Sequence, residues 1–245
     1  MKYRCDFHIH SCLSPCASLE MSPSAIVRAA LDAGLDAIAL TDHNSALNAP
    51  ALEAVCRREG LSALFGMEIT TVEEIHCIAL FDSPEAALGL SSDLYDYLPD
   101  FQNIPEKLGD QPVVDEEENI LELVPRYLGN ATRLPFSRLP SLVEEYGGLF
   151  WPAHIDRPSN SVLSQLGRLP PGSGPILEIS PHHTADMQAA YGRDHTLVSF
   201  SDAHFLDNIG ESLTEIEVEA FTLPAIRRSL LAGKATPIPF APKPP

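Results

Sequence analysis

The chain has 245 residues, with 16 Lys and Arg against 34 Asp and Glu, a formal net charge of −18 with histidines neutral. A hydrophobic fraction of 44% excludes wholesale disorder, and the length suits a single α/β barrel domain. The acidic balance argues against long duplex nucleic acid as a partner, because phosphate backbones attract basic surfaces, but it leaves room for a local phosphate site built on metal ions.

The first strand is expected at Tyr3 to His10. Ser22 and Pro23 read as an N-cap and a first helical residue, opening a helix from Ser24 to Asp32 that Gly34 ends. Asp36 to Thr41 is a short apolar strand; Asn48 and Pro50 open a second helix through Arg58, closed by Gly60. Strands follow at Leu61 to Phe65 and Ile75 to Phe81. The segment from Asp82 to Ser137 is rich in Pro, Asp and Glu, with the run Asp115-Glu116-Glu117-Glu118, and reads as a solvated insertion, or alternatively as a lid over the site. A helix at Pro140 to Tyr146 precedes a strand at Leu149 to Pro152. Later strands fall at Ile176 to Ile179, Leu197 to Phe200 and Ile216 to Val218, and helices at Ala185 to Tyr191 and Leu223 to Leu231, the latter capped by Thr222. Residues 1–235 form the expected domain, and Thr236 to Pro245, with five prolines, the expected extended tail.

This alternation implies βαβ units and a parallel sheet, closed into a barrel or open and doubly wound. The N-terminus lacks the basic and apolar regions of a signal peptide, and no apolar run approaches ~18 residues, so a cytoplasmic protein with no membrane partner is expected. The cysteines, Cys5, Cys12, Cys16, Cys56 and Cys77, include no Cys-x-x-Cys pair and fit a reducing compartment.

The histidines carry the functional signal. His8 and His10 lie two apart on the first strand, and period-2 geometry predicts that both, with Asp6, share one face. His43 beside Asp42, Glu68, His154, Asp202 and His204 fall at or just past the ends of strand-like runs, and His76 lies within one. In a parallel barrel those ends converge on one rim, where active sites form. Buried imidazoles and carboxylates are costly without partners, and a shared metal cluster supplies them. His182, His183 and His195 read as ordinary loop histidines, with substrate contact as the alternative.

Asp6-x-His8-x-His10-Ser11, Thr41-Asp42-His43, Glu68, His76, Pro152-Ala153-His154 and Ser201-Asp202-Ala203-His204 resemble the motifs of the PHP (polymerase and histidinol phosphatase) family. The resemblance implies a distorted (β/α)7 TIM-like barrel with a metal cluster at its C-terminal rim. It also implies a phosphoesterase acting through metal-activated water on a small phosphorylated metabolite, a nucleotide or an oligonucleotide end. Two or three divalent ions, Mn, Fe or Zn, would be held by His8, His10, Glu68 and Asp202; by Glu68 as a bridge with His76 and His154; and by His43, His204 and Cys16. Asp6 and Asp42 would orient these ligands. Arg157 would anchor phosphate, Asn44 would hydrogen-bond substrate, and Asp202 could protonate the leaving oxygen. Two rivals remain. One is a metal-dependent amidohydrolase, which the lack of a lysine on a central strand disfavours; the other is a non-catalytic metal-binding regulatory domain.

Overall fold

The computed structural model describes residues 1–181 and 185–238. β1 (Lys2–Ile9), α1 (Pro23–Asp32), β2 (Ala37–Leu40), α2 (Ala49–Glu59) and β3 (Ser62–Thr70) alternate as the apolar spacing predicts. The Ser22 hydroxyl accepts from Ala25 N at 3.1 Å and caps α1. α2 ends at Gly60, whose φ of 76° suits a residue without a Cβ. The three strands are parallel neighbours.

The alternation then breaks. β4 (His76–Phe81) runs antiparallel to β3. Its connection, Thr71 to Ile75, is too short for a parallel crossover, which needs a dozen or more residues. The wholly parallel sheet expected from the pattern is therefore corrected to a mixed one. α3 (Pro84–Tyr97), α4 (Pro105–Leu108), β5 (Pro112–Val114), β6 (Ile120–Leu123) and α5 (Leu139–Glu145) lead to β7 (Leu149–Pro152), which is antiparallel to β4 and so parallel to β3. Two reversals bring the start of β4 and the ends of β3 and β7 to one edge.

α3 packs on β3 and β4 as a barrel helix, so the part of the insertion that departs from the alternation begins after it. β5 and β6 form a hairpin whose Val113 packs with Leu13, Leu98, Val124 and Leu128. Asn48 does not cap α2 with its side chain. It accepts from Val114 N at 2.9 Å and donates to Ser11 Oγ at 3.0 Å, tying the hairpin to the loop after β1.

The chain continues through α6 (Val162–Leu166), β8 (Ile176–Glu178), α7 (Ala185–Tyr191), β9 (Thr196–Val198), β10 (Leu213–Glu217), α8 (Leu223–Leu231) and β11 (Ala235–Ile238). The main sheet has the order β11-β10-β1-β2-β3-β4-β7, and the parallel β8–β9 pair lies beside β7 and β11, completing a distorted TIM-like barrel. β11 corrects the expected tail: Ala235 to Ile238 pair with β10, and Pro237 is accommodated at the end of the sheet, where a missing N–H is tolerated. Residues 239–245 of that tail lie outside the described residues.

One apolar cluster joins Phe7, Leu64, Leu80, Trp151 and Phe200 to Ile226 and Leu230 of α8. A larger one packs the other strand faces, including Ile9, Ile38 and Met67, against Ile26 of α1, Leu52 of α2 and Leu90 of α3. Each such side chain contributes about 1.5–3 kcal/mol on burial. Cys5 and Phe7 belong to the first cluster and Ile9 to the second, and the β1–β2 register shifts between Asp6 and Ile9. Strict period 2 thus fails within β1, and Asp6 is not on the face of His8 and His10 as expected. Bulges re-aim side chains beside functional sites in this way. No helix among the described residues is long and apolar enough to cross a membrane, and all five cysteines are free.

Candidate metal centre

The ladder between β2 and β3 continues past β2, where Asn44 N donates to Glu68 O at 2.9 Å and Glu68 N to Asp42 O at 3.0 Å. That extension places Glu68 at the centre of the rim. Its Oε1 lies 2.8 Å from His76 Nδ1, 3.1 Å from His154 Nε2 and 3.3 Å from His8 Nε2. Its Oε2 lies 3.1 Å from His43 Nδ1 and 3.5 Å from His10 Nε2. Asp202 Oδ1 stands 3.2 Å from His10 Nε2 and 3.3 Å from His8 Nε2. His76 reaches this rim from the start of its strand because β4 runs backwards.

Three sets of ligand atoms lie within 4.8 Å of one another: His8, His10 and Glu68; His43, Glu68 and His76; and His10, Cys16, His43 and His204. Glu68 belongs to two of them, the position of a bridge. The Nδ1 atoms of His43, His76 and His154 and Asp202 Oδ1 are buried without a hydrogen-bond partner. Such orphans cost about 1–3 kcal/mol each. Close approach without hydrogen-bond geometry is what donors aimed at a common third atom show, and the imidazole, carboxylate and thiol set fits divalent transition ions.

The ligands are oriented from behind. Ser14 Oγ lies 3.0 Å from His10 Nδ1 and donates to Asp42 Oδ1 at 2.7 Å. Asp42 also accepts from Ser11 N and Ser11 Oγ, at 2.7 and 2.6 Å. His204 Nδ1 meets Asp202 O at 2.8 Å, and its other nitrogen is left for the cluster. Asp6 accepts from Ser201 N and Gly210 N at 3.1 and 3.0 Å, holding the loop that carries Asp202. Sequence reading missed Glu178, which is buried at the end of β8 beside His8. The signal was available: Ile176-Leu177-Glu178 ends an apolar strand in a carboxylate, as Glu68 does within β3.

Burial opposes the negative charge on Glu68, but His76 and His8 outweigh it and hold its carboxyl well below the usual range. Burial likewise opposes Asp202, and His8 and His10 again prevail. Burial, then the charge of His204, lowers His10 to about 4, a neutral ring ready to ligate. Cys16 is exposed as a residue, yet desolvation of its thiol, then Glu68 and Asp202, pushes it up to about 12. A bound cation would reverse that bias.

Arg157, on the loop after β7, extends Nη1 to 2.5 Å from Asp202 Oδ2, at the edge of a cavity of about 450 Å3 lined also by Ser180, Ser201, Asn208 and Glu211. Asn44 has partners other than those expected. It is buried, accepts from Thr70 N at 3.0 Å and donates to Leu128 O at 2.8 Å and Asn130 O at 3.0 Å, so it fastens the insertion to the rim and offers no N–H to substrate. His195 precedes β9, at the end of that strand opposite the ligands, with its ring 6.3 Å from Tyr191. His182 and His183 lie outside the described residues. Asn44, His154 and Asp202 have φ of 51°, 26° and 51°, a left-handed backbone that non-glycine residues adopt at a cost.

A barrel whose rim gathers imidazoles around a central carboxylate defines a metal-dependent class of protein. The PHP domain family matches residues 6–234, and the chain belongs to that family. No curated protein matches it as a relative. Among solved structures it is similar to endonuclease Q in complex with a 27-mer duplex bearing an abasic lesion at the active site, with 18% identity, a TM-score of 0.71, and coverage of 95% of this chain and 57% of that one. This chain thus spans little more than half of that endonuclease. A protein of Bifidobacterium adolescentis assigned as a metal-dependent phosphoesterase is 17% identical, covering 94% and 96% of the two chains with a TM-score of 0.61. An amidohydrolase from Chromobacterium violaceum with bound sulfate is 17% identical, covering 95% and 97% with a TM-score of 0.60.

The exclusion of long duplex nucleic acid, drawn from net charge, is corrected by the endonuclease complex: endonuclease Q, whose fold is similar, holds a duplex at its active site. Net charge averages the whole surface, whereas a phosphate meets only the mouth, where bound cations set the local sign.

Proposed function

We propose that the protein is a metal-dependent phosphoesterase that hydrolyses the phosphate ester of a small metabolite, a nucleotide or a nucleic-acid end. The observation that supports this most is the placement of Arg157 beside Asp202, where a guanidinium faces the cavity next to the ligand cluster. His8, His10, Glu68 and Asp202, then Glu68, His76 and His154, then His43, His204 and Cys16 are the residues assigned to the ions, with His43 and His10 each close enough to serve a second set. When bound, divalent ions supply Lewis acidity that lowers the pKa of water and neutralises phosphoryl oxygens.

The chain's own groups then have distinct tasks. Arg157 presents a planar fork that matches two phosphoryl oxygens, and it gains strength as charge spreads over them. Glu68 fixes the separation of the ligand sets by belonging to two of them. Asp202 is held ionised, so it serves as ligand and as partner of Arg157 and is a poor proton donor. The insertion, fastened to the rim loops by Asn44 and Asn48, is assigned to substrate selection.

An amide hydrolase is the second reading, favoured by the Chromobacterium likeness. Assays of Mn2+-loaded protein with p-nitrophenyl phosphate, its diester, an abasic duplex and a p-nitroanilide separate the two. Turnover of a phosphate substrate, strongly lowered in Arg157→Ala with metal content retained, is the expected result. Turnover of the anilide alone overturns the proposal.

A further inference from the structure

We infer that Glu178 is a positioning residue that fixes the tautomer and angle of His8 and thereby sets the affinity of the rim for its ion. The inference rests on the metal centre and stands whether the substrate is an ester or an amide. Glu178 closes β8 and is buried, as are His8 and Trp151. Its Oε1 lies 2.7 Å from His8 Nδ1, and its Oε2 accepts from Trp151 Nε1 at 2.9 Å. Trp151 belongs to β7, the strand that leads to His154. One carboxylate therefore links β1 to β7 beneath the cluster.

The chemistry of this arrangement is directional. A carboxylate only accepts, so the proton of a neutral His8 belongs on Nδ1, and Nε2 keeps its lone pair. Nε2 is the atom that faces Glu68 Oε1 and Asp202 Oδ1, both at 3.3 Å. Negative charge behind a ligating imidazole also raises its basicity, and loss of such a partner typically costs 10–100-fold in metal affinity. The Trp151 N–H occupies the second oxygen and fixes the carboxylate plane, so Glu178 cannot swing away from His8. His10 is held differently, through the hydroxyl of Ser14, which makes His8 the ring of the pair that receives a full charge.

Glu178→Gln separates this role from packing. The amide has one oxygen for two N–H donors, so either His8 or Trp151 loses its acceptor while the volume is kept. Trp151→Phe removes the indole donor and some core volume but leaves the carboxylate of Glu178 against His8. Binding of Mn2+ to metal-free protein, read from the electron paramagnetic resonance of free Mn2+, is expected to weaken about 10–100-fold in Glu178→Gln. Trp151→Phe is expected to bind within about threefold of the native chain, since it keeps the charge behind His8. Glu178→Gln binding as tightly as the native chain overturns the inference, and so does equal weakening in both variants, which marks a packing role. Long-range 15N–1H correlation of the native protein loaded with diamagnetic Zn2+ needs no variant: His8 carrying its one proton on Nδ1 supports the inference, and His8 carrying it on Nε2 overturns it.

Discussion

Arg157 turns away from its neighbour Asp156 and toward Asp202, with Nη1 2.5 Å from Oδ2. Asp156 is engaged elsewhere, accepting from Ser180 N and Oγ at 2.7 and 2.8 Å. The guanidinium is thus held at the cluster by a carboxylate that is itself a candidate ligand, and the two loops that carry them, after β7 and β9, are set against each other.

If that pairing readies a phosphate anchor, Arg157→Ala will lower kcat/KM toward phosphate esters by about 10²–10³-fold, the usual effect of deleting a charge-stabilising donor. Bound metal measured by plasma emission spectroscopy will be unchanged. Arg157→Lys will recover only part of the activity, because an ammonium lacks the bidentate fork.

Glu68→Gln removes the charge, and one of the two oxygens, that five imidazoles face. The variant is expected to purify with less than half the native metal and no measurable turnover, while keeping its far-ultraviolet circular dichroism.

Stripping the metal will destabilise the native chain, since the buried imidazole nitrogens of His43, His76 and His154 and Asp202 Oδ1 then lack a hydrogen-bond partner. Ion at a hundred times its Kd stabilises by about 2.7 kcal/mol, worth about 5–10 °C in Tm for a chain this long. Differential scanning calorimetry with and without chelator measures this. Equal Tm values would contradict the assignment of these residues to a metal.

Asn44→Ala will act through stability. It strips acceptors or donors from Thr70 N, Leu128 O and Asn130 O and puts alanine at a φ of 51°. A loss of about 2–4 kcal/mol in denaturant unfolding is expected, with faster hydrogen exchange around residues 128–132. A change in KM alone would restore Asn44 as a substrate contact.

Much of the rim was legible because its chemistry is expressed in local spacing. His8 and His10 flank an apolar Ile9, and His43, His154 and Asp202 follow runs that could only be buried strands. Caps were equally local: Ser22 and Thr222 each accept from the backbone three residues on. Illegible were the features decided by distant partners. β4 has a strand's composition in either direction, and only the short link to β3 forces it to turn back. Asn44 looks like a neighbour of His43, and its partners at 128 and 130 belong to a segment with no visible relation to it. Thr236 to Ile238 look like the start of a proline-rich tail until β10 is placed beside them. The shift within β1, which turns Asp6 away from its histidine neighbours, depends on how β2 aligns.

The left-handed backbone at His154 and Asp202 has a consequence for the life of the protein without its ions. Strain of this kind costs about 1–3 kcal/mol per residue, and in the absence of a cation the pairing of Asp202 with Arg157 offsets only part of it. Replacing Asp202 with Asn or Gly, residues at ease with such a backbone, should abolish ion uptake and yet yield a more heat-resistant apoprotein. The mouth of the barrel is then a place where selection for chemistry and selection for durability pull the same two residues in opposite directions.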